Sequence, residues 1–250
     1  MNYFYVKKGL PLLLIINIFM NFSLAKLPKS KKSLSISEIT ENGTLKEVKS
    51  FFKNKSQINR IDKYGKTSII YASIFGRTKV AEYLLKKGAN IEAETPLGFS
   101  PLILAAQNGH KEIVSMLIKS KADINKGDKW QWTPLMFASL KGYKDIVNVL
   151  LDAKAKVNLQ NFQGVSALTF ASVRGHKSIV QKLIYKKANV NLRDKKGRTA
   201  LFHAAKKNYP EVVKLLIKSG SDKNIKSKSG ETAFEVAKKL KHKEIVNFLL

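Results

Sequence analysis

Four histidines and 18 acidic side chains are the groups from which acid–base or metal chemistry would be drawn in this 250-residue chain. There is no cysteine, which removes disulfides, thiolate metal sites and cysteine nucleophiles together. His110, His176 and His242 stand at equal intervals, each beginning a new helical segment. Recurrence at one position marks a structural role, because a catalytic base or metal ligand has no reason to repeat. His203 is the singular histidine; it adjoins Ala204-Ala205, where a packing role is expected. Glu82, Glu112, Asp145, Glu211 and Glu244 fall on helical segments, where solvated charge is the simplest reading. No Gly-rich phosphate loop, His-Glu-x-x-His or Gly-x-Ser-x-Gly motif occurs. No catalytic residue, metal site or cofactor is expected, and the chain is read as a non-enzyme.

The elements that carry these residues repeat. Thr67, Ser100, Thr133, Ser166, Thr199 and Thr232 follow one another at 33 residues. Ala72, Ala105, Ala138, Ala171, Ala204 and Ala237 keep that step, as do Leu84, Leu117, Leu150, Leu183, Leu216 and Leu249. Gly65, Gly98, Gly164, Gly197 and Gly230 share it, with Gln131 the exception. Such self-similarity is the mark of a repeat architecture.

Each unit reads physically. Asp62, Asp128 and Asp194, two residues and then a Gly or Gln make a tight turn. The Ser/Thr hydroxyl caps a helix, with Pro101 or Pro134 at its first position. Small alanines sit where two helices approach closely. Gly76, Gly109, Gly142 and Gly175 break the chain, and a second helix follows with Val80, Leu84 and Leu85 at helical spacing. It ends near Gly88-Ala89 and its equivalents. Lys121, Lys154 and Lys187 hold that terminating glycine position, where a left-handed backbone is costlier for lysine.

The pattern Asp-x-x-Gly-x-Thr-Pro-Leu-x-x-Ala, then Gly-His, then Leu-Leu-x-x-Gly-Ala resembles the ankyrin repeat, most closely over residues 128–158. The resemblance implies an all-α repeat solenoid of stacked helix-turn-helix units with β-turn or hairpin tips. The implied organisation is an N-terminal capping half repeat at 36–61, repeats at 62–94, 95–127, 128–160, 161–193 and 194–226, and a C-terminal cap at 227–250. The family's usual histidine after Thr-Pro-Leu is replaced by Ile70, Ile103, Met136, Thr169, Phe202 and Glu235. Apolar packing is therefore expected where the family has an inter-repeat hydrogen-bond network.

Ankyrin proteins generally bind a partner protein along the concave face, through the turn tips and the exposed side of the first helix. Carried onto this chain, the implied surface comprises Tyr64, Phe75, Leu97, Phe99, Trp130, Trp132, Phe162, Val165, Lys195, Lys196, Arg198 and Lys206. Its first four tips are aromatic and its fifth is basic. Grouped exposed aromatics mark an interaction surface; the alternative is that these rings pack on one another between neighbouring tips. The partner that fits is an unknown protein with an apolar anchor flanked by acidic groups, bound by a monomer.

The formal net charge is +28. It favours anionic partners, so charge-driven binding of nucleic acid or an anionic membrane surface is the competing function. The abundance of Lys, Asn and Ile is also the usage of an AT-rich genome, which suggests a bacterial-type protein. Residues 1–25 run from Lys7-Lys8 through an apolar stretch to Ser23-Leu24-Ala25, the order of a secretory signal peptide. Residues 26–35 read as a basic linker. Export to the periplasm or beyond is expected, or tethering by an uncleaved N-terminal segment. Cleavage after Ala25 takes the charge from +28 to +26.

Overall fold

The structure, a computed structural model, describes residues 35–52 and 54–250. The expected signal peptide, and the linker as far as residue 34, lie outside these residues. Ser35 is described, and it caps the first helix.

Fifteen helices and no strands make up the described chain. The first three are α1 (Ile36–Asn42), α2 (Leu45–Phe51) and α3 (Lys55–Ile58). Then come six antiparallel pairs: α4 (Ser68–Phe75) with α5 (Thr78–Lys86), α6 (Pro101–Asn108) with α7 (Lys111–Lys119), and α8 (Pro134–Lys141) with α9 (Lys144–Asp152). The remaining pairs are α10 (Ala167–Val173) with α11 (Lys177–Tyr185), α12 (Ala200–Lys206) with α13 (Pro210–Lys218), and α14 (Ala233–Lys239) with α15 (Lys243–Leu249). First helices pack on first helices and second on second, in chain order. The helices α1 and α2 extend the two rows by one member, against α4 and α5. The arrangement is an all-α repeat solenoid, in which each unit buries its apolar face only against its neighbours.

The alanine column makes this stacking possible. Ala72, Ala105, Ala138, Ala171, Ala204 and Ala237 are wholly buried between first helices. In the second row, Leu84, Leu117, Leu150, Leu183 and Leu216 are equally buried. The expected apolar replacement of the usual histidine holds at Ile70, Ile103, Met136 and Phe202, all buried; Thr169 is buried as well and Glu235 instead forms a capping box.

Most expected caps form. The hydroxyls of Ser100, Thr133, Ser166, Thr199 and Thr232 each accept from the backbone N–H three residues on. Thr67 does not; its buried hydroxyl is left without a partner. There Ser68, at the position Pro101 and Pro134 hold later, anchors the helix start by donating to the Ile58 carbonyl at 3.0 Å.

The three ring-bearing histidine positions are structural. His110 Nε2 lies 3.0 Å from the Ile74 carbonyl, His176 Nε2 3.3 Å from that of Leu140, and His242 Nδ1 2.9 Å from that of Ala205. Each imidazole thus ties a second helix to the end of the first helix of the preceding unit. The close approach explains the glycines facing them: a Cβ at Gly76 would stand 2.5 Å from the His110 ring.

A second ladder joins the units on the far side. Asn59, Asn125, Asn158 and Asn191 accept, through Oδ1, the backbone N–H of Asn90, Lys156, Asn189 and Asp222, at 2.7–2.9 Å. Glu92 stands in this series and accepts from Asp123 N–H at 2.8 Å.

Second helices end in a left-handed residue, Gly88 and Gly220 in two units and Lys121, Lys154 and Lys187 in three, at φ 69°, 66° and 66°. The next N–H closes back on the helix, as Ala155 N does on the Leu150 carbonyl at 3.0 Å. Replacing Lys121, Lys154 and Lys187 by glycine is expected to stabilise the chain by about 0.5–1 kcal/mol each, after glycine's unfolded-state entropy is subtracted. Lys86→Gly, inside helical backbone, is expected to destabilise by about 1 kcal/mol. Denaturant unfolding of the four variants checks the sign at each position.

Candidate functional site

Four of the six tips are each built around one side chain. Asp62 Oδ1 accepts from the N–H of Tyr64 and Lys66 at 2.9 and 3.0 Å. Asp128 does the same for Trp130 and Trp132, Asn161 for Gln163 and Val165, and Asp194 for Lys196 and Arg198, all at 2.8–3.0 Å. This doubled acceptance curls the loop around the side-chain oxygen. It sends the first tip residue outward and folds the fourth back over the first helices.

Neighbouring tips are joined by their backbones. The N–H of Lys129 donates to the Leu97 carbonyl (3.2 Å), Phe162 to Trp130 (3.0 Å), Lys195 to Gln163 (2.8 Å) and Lys228 to Lys196 (2.8 Å). The equivalent residue one unit earlier is Pro96, which has no N–H to give.

This geometry divides the aromatic strip read from the sequence. Tyr64 and Phe162 are exposed, at 48% and 53%. Phe75, Leu97, Phe99 and Trp130 are half-buried. Trp132 and Val165 are buried and do not belong to an exposed strip, because the fold-back position points them at the first helices. The Trp132 ring centroid lies 4.4 Å from Phe170 and 5.0 Å from Phe137. Phe99 lies 6.0 Å from Phe137 and 6.5 Å from Trp130. Phe99 and Trp130 thus pack on one another between neighbouring tips, the alternative arrangement, while Trp132 packs on first-helix rings beneath the tips.

The basic tip is divided in the same way. Lys195, Lys196 and Lys206 are exposed. Arg198, at the fold-back position, is held by the buried Asp194, with Nε and Nη2 at 2.9 and 2.8 Å from Oδ2. His203 is part of this cluster and not a packing residue alone: its Nε2–H donates to the same oxygen at 3.0 Å. Burial opposes the ionisation of Asp194, but the hydrogen bonds from His203 and Arg198 outweigh it and hold the carboxyl well below its usual range. Burial also keeps His203 neutral, lowering its pKa against the pull of Asp194, with Arg198 pushing the same way as burial. The first tip has a counterpart: Tyr71 Oη donates to Asp62 Oδ2 at 2.6 Å, and Tyr71 and His203 hold the same place in their units. Sequence reasoning missed this pairing. Its signal was a polar ring at a position that is otherwise Leu104, Phe137, Phe170 and Val236.

Asp128 lacks such a partner, since Phe137 stands where Tyr71 and His203 stand. Burial pushes its carboxyl from the ordinary 3.8 up to about 6, against the lowering effect of the Trp132 and Trp130 N–H bonds. At the inner end of α8, burial lowers the pKa of Lys141, and the neighbouring charge of Arg174 adds to this. The arrangement offers shape, apolar contact and cationic charge, with a rigid backbone behind them.

A family model described as "Ankyrin repeats (3 copies)" matches residues 92–161 and 168–250, and one described as "Ankyrin repeats (many copies)" matches residues 39–85. No curated protein matches the chain.

Two outcomes follow from the burial. Trp132→Ala is expected to cost about 3–5 kcal/mol of stability and Phe162→Ala less than about 0.5 kcal/mol, measured by denaturant unfolding. Asp128 binds its proton more tightly in the folded chain, so its contribution is present below the unfolded pKa and lost as pH rises through about 6. Asp128→Asn, which copies the bonding of Asn161, is therefore expected to stabilise by about 1–2 kcal/mol near neutral pH and above. Thermal unfolding across pH should show that gain vanish as the pH falls below the ordinary carboxylate value.

Proposed function

The chain belongs to the ankyrin repeat family, and from that premise we propose that it is a non-catalytic scaffold binding a partner protein along its turn tips and the adjoining ends of its first helices. Ankyrin repeats generally mediate protein–protein interaction and are typically not enzymes. One observation carries the assignment of the face: the exposed Phe162 ring and the exposed Lys195 and Lys196, without an ion pair among the described residues, project together from backbone-bonded tips, with Tyr64 exposed on the first tip. Aromatic residues on a rigid, pre-ordered surface supply contact area at low entropic cost. The binding residues on this reading are Tyr64, Leu97, Trp130, Phe162, Lys195, Lys196 and Lys206, with Phe75 at the inner end of α4. Trp132, Val165 and Arg198 support them from beneath.

The partner that fits has an apolar anchor and an acidic face, and the scaffold acts as a monomer. We propose further that this is a bacterial-type protein exported through residues 1–25, whose charge order is that of a signal peptide. The charge of +28 supports a second reading, attachment to nucleic acid or an anionic membrane surface. The packing of Phe99 on Trp130, and of Trp132 on Phe137 and Phe170, weighs against it, since those rings are not free to stack on bases.

A pull-down at moderate salt, after nuclease treatment, separates the readings. The full chain, a Tyr64→Ala/Phe162→Ala variant and Tyr185→Ala, a substitution of an exposed ring on α11, are compared. Retention of a protein by the parent and Tyr185→Ala, and its loss in the double variant, is the expected result. Retention indifferent to the double variant, or abolished by nuclease or modest salt, overturns the tip assignment in favour of charge.

A further inference from the structure

The first residue of every tip projects outward, and these residues form one line: Lys63, Pro96, Lys129, Phe162, Lys195 and Lys228. All six are exposed, and their sequence spacing is one unit throughout. From Lys129 onward each is fixed by its own backbone N–H to the preceding tip. Phe162 is the only aromatic side chain in the line, and Lys129 and Lys195 stand on either side of it. Among the described residues none of Lys129, Lys195 and Lys228 pairs with a carboxylate. Of the two buried acids beside the row, Asp194 is already neutralised by Arg198, and Asp128, next to Lys129, accepts from the Trp130 and Trp132 N–H groups. The row therefore presents the order cation, ring, cation, cation, at the spacing of stacked helices, which is about 8–10 Å.

That spacing selects a conformation for what binds. A polyproline-II segment has three residues per turn and rises about 3.1 Å per residue, so every third side chain falls on one face about 9 Å apart. A β-strand turns alternate residues to opposite faces and cannot present every third one to the same line. Stacking of the bases of a single strand uses a run of rings, and this row holds a single ring.

Resting on the scaffold reading above, we propose that the tip row is the docking line for an extended acidic segment of the partner, polyproline-II-like, which presents every third residue in the order acidic, apolar, acidic, acidic. The apolar side chain lies on Phe162 between the stems of Lys129 and Lys195, and the carboxylates reach the ammonium groups of Lys129, Lys195 and Lys228. Recognition is then a matter of register as well as charge.

Fluorescence anisotropy with the full chain tests it. The probe is a labelled ten-residue peptide, proline-rich, with glutamates at the first, seventh and tenth positions and leucine at the fourth, made in both chain orders. A ten-residue control carries the same groups at every second residue, a thirteen-residue control carries them at every fourth, and a longer helical peptide carries them at every seventh. We expect one order of the three-residue spacing to bind at least about tenfold tighter than any control. Phe162→Ala and Lys195→Glu should each weaken it about tenfold, with Tyr185→Ala unchanged. Equal affinity across spacings overturns the register, as does tighter binding of the helical peptide. Stronger binding of single-stranded DNA that ignores Phe162→Ala overturns the acidic segment as occupant. If the register fails while Phe162-dependent capture of a protein survives, the scaffold reading stands and only the extended acidic segment falls.

Discussion

The close approach of one first helix to the next is the contact on which everything else in the chain rests. It is set by an alanine at one position in six successive units, each wholly buried. A larger side chain there would separate the helices and with them the tips, whose backbones meet at 2.8–3.2 Å. The glycines opposite His110, Tyr143, His176 and Tyr209 are a second expression of the same constraint, since a Cβ at those places would stand 2.5–3.0 Å from a ring. A unit of this size has no core of its own, so its stability is mostly its interfaces. Two hydrogen-bond ladders then fix the register of units that apolar packing has brought together: imidazoles to helix-end carbonyls on one side, asparagines to backbone N–H groups on the other.

Register fixes the chemistry of the edge. The acceptor that curls each tip sorts its four following residues into those that face out and those that fold under. In consequence Trp130 and Trp132, two residues apart, have different work: Trp132 is part of the core between α8 and α10, and Trp130 lies at its rim. The same sorting separates Lys195 and Lys196, which face solvent, from Arg198, which neutralises Asp194. Where the buried acceptor is charged, its second oxygen needs a donor, and Tyr71, Arg198 and His203 supply one. At Asp128 none is supplied, and the carboxyl responds by holding its proton to a higher pH.

Much of this was legible in the sequence, because a 33-residue period survives in several independent series. The helix pairs, the caps, the left-handed lysines and the structural role of His110, His176 and His242 all follow from it. Less legible was the direction in which a tip side chain points, because periodicity identifies equivalent positions and says nothing of their orientation. Trp132 and Val165 were therefore grouped with Phe162, although the turn geometry buries the first two and exposes the third. The asparagine ladder was hidden for a different reason. Asparagine is common throughout this chain, so Asn125, Asn158 and Asn191 did not stand out, and Glu92 interrupts the series. His203 was read by its alanine neighbours along the helix, whereas its partner, Asp194, lies nine residues back across the turn.

The excess of positive charge is also less uniform than composition suggests. Genome-driven drift toward lysine would leave cations unpaired on every face alike. On the second helices several acids do pair: Glu82 with Lys86, Asp152 with Lys186, and Lys177, Glu211, Lys214 and Glu244 form a chain across three units. Exposed pairs of this kind stabilise by only a few tenths of a kcal/mol each, but they offset part of the positive charge of the second-helix face. The outward tip row has no such partners among the described residues, although an acid at Lys129 or Lys195 would cost the fold nothing. The cations of the row therefore stand on an edge whose backbone is tied from tip to tip. A long-range attraction located on a pre-ordered edge orients an incoming partner before any contact forms, and Phe162 stands in the middle of it as the first apolar side chain that partner would meet.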